Sequence, residues 1–103
     1  IRLAGSSRSQ RRTVREDDRR KPMQVTHQMT ISARCPVDKK LDTYSAEFST
    51  DRVVKVEDIL AAVNRVAERE IFQEDLTVLL ARELGVKVTT VGYHSGVLTK
   101  VSA

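Results

Sequence analysis

Polar and apolar residues alternate along part of this chain and recur at helical spacing along another part. From Met29 the alternation puts Met29, Ile31, Ala33 and Cys35 on one face and Thr30, Ser32 and Arg34 on the other, the pattern of a half-buried strand. Pro36 has no amide hydrogen to give to a ladder, so the strand is expected to stop there. Val37 to Leu41 reads as a polar turn. A second alternating run follows, with Tyr44, Ala46 and Phe48 inward and Thr43, Ser45, Glu47 and Ser49 outward. Two such runs across a short loop predict an antiparallel hairpin.

The period then changes. Val56, Ile59, Leu60, Val63, Val66 and Ala67 fall on one face of a helix. Phe72, Leu76, Leu79, Leu80 and Leu84 do the same for a second helical run, with Gly85 as its stop. The region Glu68-Arg69-Glu70 either joins two helices or bends one. Val86, Val88, Val91 and Tyr93 read as a further strand and Val97 to Val101 as a last one, with His94-Ser95-Gly96 between them. The predicted order is strand, strand, helix, helix, strand, strand: an α+β domain whose helices cover one face of an antiparallel sheet.

Composition narrows this picture. At 103 residues the chain is of one-domain size. Its apolar and charged fractions are those of a globular protein, and no apolar run approaches the ~20 residues of a membrane span. No charged-then-apolar signal opens it. The first residue is Ile1 and not methionine, so the true start is expected to be missing or processed. A single cysteine cannot form an internal disulfide, which suits a reducing cytoplasm and leaves Cys35 available as a thiol.

Charge divides the chain in two. Residues 1–21 carry eight basic and three acidic residues, a net +5 against +4 for the whole chain. The expected organisation is therefore a basic arm over residues 1–21 and one folded domain over residues 22–103. The arm has few apolar anchors and cannot fold alone. It reads either as a contact for nucleic-acid phosphates or as a solvated tail that packs on a neighbouring subunit. No aromatic residue is interleaved for base stacking.

Two readings of Cys35 stand at this level. A lone cysteine on an apolar face is commonly a small buried hydrophobe. A cysteine at a strand end, close to Lys39 and Lys40, has cations that favour its thiolate. Asp42 follows it at i+7. Gln73, Glu74 and Asp75 open the second helical run, where carboxylates suit the helix dipole. Glu74 could also accept two parallel N–H bonds from a guanine-like ring. The chain has no phosphate-binding loop, no dinucleotide fingerprint and no serine elbow. Cys35, His27 and His94 include no close ligand pair, so no metal is expected.

The order of elements, Cys35-Pro36 with Asp42, and Phe72-Gln73-Glu74-Asp75 together resemble the tunnelling fold. Within it the chain is similar to the 7-cyano-7-deazaguanine reductase family, and most of all to its short archaeosine amidinotransferase, or QueF-like, branch. The resemblance covers about residues 29–103. Cys35, Pro36 and Asp42 match the family's first motif. Phe72 and Glu74 match the second, in which Gln73 replaces a histidine. That Gln-Glu form, followed by Leu76 and Thr77, is similar instead to GTP cyclohydrolase I, but its zinc-binding cysteine pattern is missing and Gly96 stands near the place of its second cysteine.

The resemblance implies Cys35 as nucleophile on a nitrile carbon, Asp42 as proton donor to the nitrile nitrogen, and Glu74, with Gln73 and His94, as contacts to the deazaguanine. It implies a homo-oligomeric ring, pentameric or stacked, with sites between subunits. The reductases grip NADPH through a serine- and lysine-rich stretch in the first helix. Here Glu57-Asp58-Ile59-Leu60-Ala61-Ala62 stand there without a lysine, so amidine formation is favoured over reduction, and NADPH enters only for a reductase. The substrate would be a deazaguanine, free or carried in nucleic acid as in tRNA modification for queuosine or archaeosine. The alternative class is a non-catalytic binding or assembly protein that uses its arm on nucleic acid.

Overall fold

A computed structural model describes residues 23–103; the arm assigned to residues 1–21 lies outside them. Six elements follow in chain order: β1 (Val25–Arg34), β2 (Leu41–Thr50), α1 (Val56–Val66), α2 (Gln73–Leu84), β3 (Lys87–His94) and β4 (Val97–Ser102). The strands form one antiparallel sheet in the order β1-β2-β3-β4. This is the α+β order that the periodicity predicts.

The first strand is longer than its clean alternation suggests. It begins at Val25 because Thr26 and His27 find partners in Ser49 and Phe48, and polar residues can be laddered as well as apolar ones. Cys35 lies just beyond its end. Leu41, expected in the turn, already belongs to β2 and pairs with Arg34.

The inward faces carry Ile31 and Ala33 from β1, Tyr44, Ala46 and Phe48 from β2, and Val88 from β3. Against them pack Ile59, Ala62, Val63 and Val66 of α1 and Leu76 and Leu80 of α2. Each helix thus buries positions at i, i+3, i+4 and i+7. In α1 the buried stripe runs through Ala62 and leaves Val56 and Leu60 largely exposed. In α2 two polar residues, Gln73 and Thr77, sit on the buried stripe.

The third strand separates its apolar residues by parity. With Val88 inward, Thr90 and Gly92 take the next inward places. Val91 and Tyr93 fall on the opposite face, and Tyr93 is 64% exposed. The hairpin to β4 is tight: Ser95 and Gly96 both have positive φ, 49° and 83°, as a two-residue turn matched to strand twist requires.

The segment between the helices positions the site. Helix α1 ends at Val66, and Glu68 follows in the left-handed region at φ 62°. The chain then runs along the free side of β1. Glu68 N–H donates to Ser32 O at 2.7 Å, Arg34 N–H to Arg69 O at 2.7 Å, and Ile71 N–H to Arg34 O at 3.0 Å. This short pairing covers the end of the edge strand and carries Phe72, Gln73 and Glu74 to the side of Cys35. Among the described residues no helix is long and apolar enough to cross a membrane.

Candidate functional site

A cleft of about 330 Å³ opens where the end of β1, the start of α2 and the β3–β4 hairpin converge. Cys35, Tyr44, Gln73, Glu74, His94 and Thr99 are among the residues that line it. Its size lies at the lower end of the range for small-molecule sites.

Cys35 is half-buried and free. Its position is held by backbone, since its N–H donates to Lys40 O and its C=O accepts from Lys39 N–H, both at 2.9 Å. Lys39 adopts φ 64° to close this loop. The two lysines were read from sequence as nearby cations that favour the thiolate. Lys39 instead spends its ammonium on Pro36 O at 3.0 Å and on the Glu70 carboxylate at 3.1 Å, tying the loop to the inter-helix segment. Asp38 is an acid of this loop that the sequence did not single out. Its carboxyl accepts the Lys40 N–H at 2.9 Å, and that bond, with a smaller contribution from hydrogen bonding with Cys35, holds it below the usual aspartate range.

Asp42 sits on β2 opposite Ala33, on the inward face and half-buried, and it is not among the residues that line the cleft. Its Oδ2 faces His94 Nδ1 at 3.4 Å. Tyr44, two residues along the same face, is fully buried. Its hydroxyl is pushed up to about 12, first by burial and then by the charge of Asp42; the charges of Cys35 and Glu74 and hydrogen bonding with Asp42 act in the same direction. Its ring lies 5.7 Å from that of His94, tilted by 43°. Four groups from different parts of the chain therefore act on one tyrosine.

Gln73 is 1% exposed. Its Nε2 lies 3.1 Å from Thr90 O, Thr90 Oγ1 and Thr99 O. Its Oε1 lies 2.8 Å from His94 Nε2. The network continues through Thr77 Oγ1, which is 2.6 Å from Thr90 Oγ1 and donates to Gln73 O at 2.7 Å. Gln73 was expected to touch the substrate. It lines the cleft, but both its amide hydrogens are engaged by β3 and β4. Thr77 and Thr90 were missed from sequence. Their signal was two hydroxyls at positions that periodicity assigns to the core, where buried polar groups must find partners.

Glu74 follows Gln73 in the first turn of α2, and its side chain faces the cleft. No side chain caps this helix at Phe72. His27 does not join the site. It precedes Cys35 by eight residues on an extended strand, a separation of about 25 Å. Cys35, His27 and His94 are thus not gathered as a metal set.

No protein-family profile matches the sequence, and no curated protein does. Among solved structures, one described as the archaeosine synthase QueF-Like in the apo form is similar, with a TM-score of 0.72 at 26% identity. The similarity covers 82% of this chain and 94% of the other. The chain has the tunnelling-fold arrangement of that protein and resembles the QueF-like branch.

Proposed function

We propose that this chain is an enzyme of 7-deazaguanine metabolism that attacks the nitrile of 7-cyano-7-deazaguanine with Cys35 and converts the product to an amidine. The observation that carries the proposal is the cleft that Cys35, Glu74 and His94 line together, with the Asp42 carboxylate 3.4 Å from His94 Nδ1. Likeness to an archaeosine synthase supports the same chemistry.

The steps follow from the groups present. The Glu74 carboxylate accepts paired N–H bonds from the guanine-like edge and orients the ring. Cys35 thiolate adds to the nitrile carbon, and one π pair of the C≡N bond moves to nitrogen. Asp42 gives that nitrogen a proton, leaving a neutral thioimide. Ammonia then adds to the thioimide carbon and the cysteine sulfur leaves, so the nitrile becomes an amidine with no change in oxidation state. A reductase would instead need NADPH; the exposed face of α1 offers Glu57 and Asp58, which repel its phosphates.

Assembly completes the proposal. The outer side of β4 and the first part of β1 present strand edges among the described residues, and pairing them between copies would close a ring. The residue 1–21 arm would then contact a nucleic acid that carries the base.

Intact mass after incubation with 7-cyano-7-deazaguanine tests the chemistry. The expected result is a gain equal to the ligand, absent in Cys35→Ala, and discharged by ammonium. Discharge by NADPH would convert the assignment to a reductase. No adduct at any neutral pH would leave a binding or assembly protein.

A further inference from the structure

The Gln73 amide can be oriented in one way only. Its nitrogen meets two backbone carbonyl oxygens, Thr90 O and Thr99 O, each at 3.1 Å. A flipped amide would set its oxygen against both of them, so the NH₂ group must face β3 and β4. The remaining atom, Oε1, has no hydrogen, and His94 Nε2 lies 2.8 Å from it. His94 Nε2 therefore carries a proton and donates it. The other ring nitrogen, Nδ1, faces the Asp42 carboxylate at 3.4 Å. Any second proton on the ring sits there, between two groups that can exchange it.

We infer that His94 is a positioning residue that holds a proton for Asp42: Gln73 locks Nε2 as a donor, and the proton on Nδ1 is the one Asp42 delivers to substrate. This deepens the proposed nitrile chemistry and rests on it. The step starts from the thiolate form of Cys35 and the imidazolium form of His94, paired with the Asp42 carboxylate. As sulfur bonds to the nitrile carbon, the Nδ1 proton passes to the Asp42 carboxylate, and Asp42 delivers it to the developing nitrogen anion. Thiolate and imidazolium become a neutral thioimide and a neutral imidazole. No charge is left uncompensated in the cleft, and nothing is oxidised or reduced. The groups facing His94 are Asp42 and Tyr44 from β2 and Gln73 from α2, with Cys35 and Glu74 on the same cleft.

Two measurements test this. Imidazole ¹⁵N spectra of the full chain at neutral pH, with His94 identified by its loss in His94→Gln, are expected to show Nε2 protonated. An Nε2 without its proton at neutral pH overturns the assignment. Rates of adduct formation with 7-cyano-7-deazaguanine, followed by quenched intact mass, are expected to fall on the alkaline side in the wild type. In His94→Gln that limb is expected to vanish and the rate at neutral pH to drop by about 10²-fold, the effect of losing a positioned proton donor. An adduct that forms in both proteins with the same rate and pH profile overturns the role of His94 and leaves the nitrile chemistry standing. No adduct in the wild type overturns the chemistry itself, and with it this role, whatever the spectra show of the tautomer.

Discussion

Gly92 stands directly opposite Tyr44 in the β2–β3 ladder, and the Tyr44 ring occupies the space that a side chain at Gly92 would fill. A Cβ placed there would overlap Cδ1 of the ring, lie 3.0 Å from Cε1 and 3.1 Å from Thr43 O. The backbone of β3 thus forms one wall of the slot that holds the tyrosine among Asp42, His94 and Glu74.

Gly92→Ala is expected to destabilise the fold by about 1–3 kcal/mol, the usual cost of overpacking a well-filled interior. The ring, which lies 5.7 Å from that of His94, would have to shift, so adduct formation with 7-cyano-7-deazaguanine should slow by more than the lost stability explains. Denaturant melts with kinetics on the folded fraction check this; an unchanged melt and rate would show that the slot is loose.

Tyr44 gives the molecule an alkaline signature. Its hydroxyl is raised to about 12 in the fold, against about 10 in an unfolded chain. The folded state therefore holds the proton more tightly. The stability from this is fully present below pH 10 and is lost as pH rises from about 10 to 12. Stability measured over that window should fall in the wild type, and that part of the fall should be missing in Tyr44→Phe.

Removing the Thr77 hydroxyl should be costly out of proportion to its size. In Thr77→Val the Thr90 hydroxyl and the Gln73 carbonyl lose their shared partner inside the core. About 1–3 kcal/mol is expected for leaving such groups unpaired. A thermal melt tests it, and the loosened Gln73 should also show as a shifted His94 ring resonance.

Glu74→Gln keeps the shape of the cleft and replaces an acceptor-only carboxylate with an amide. Binding of 7-cyano-7-deazaguanine to Cys35→Ala carrying this change should weaken about 10- to 100-fold, the worth of a charge-assisted paired hydrogen bond. Calorimetry against the single Cys35→Ala variant measures it, and equal affinity would remove Glu74 from recognition.

The basic arm makes its own prediction. If residues 1–21 contact phosphates, deleting them should lower RNA affinity and flatten its dependence on salt, because each lost contact removes about 0.7–0.9 from the log–log slope. Binding that keeps its slope after deletion would assign the contact to the folded domain.

Alternation at Met29–Ala33 and Tyr44–Phe48, and the 3.6-residue recurrence through Ile59–Val66 and Leu76–Leu84, were enough to determine the elements and their order. These are local patterns, set by which side of a strand or helix each residue meets. Cys35, Asp42 and Glu74 were also legible as residue types, and the roles proposed for them came from likeness to a family. The pairing of Glu68–Ile71 with the end of β1 was not legible, because it joins backbone groups that any residue carries. Nor was the orientation of Gln73, which depends on carbonyls of β3 and β4 reached only after the sheet has closed. Sequence specifies which groups the chain owns; only the packed fold decides which acceptor each donor meets, since a buried hydrogen bond is chosen among partners distant along the chain.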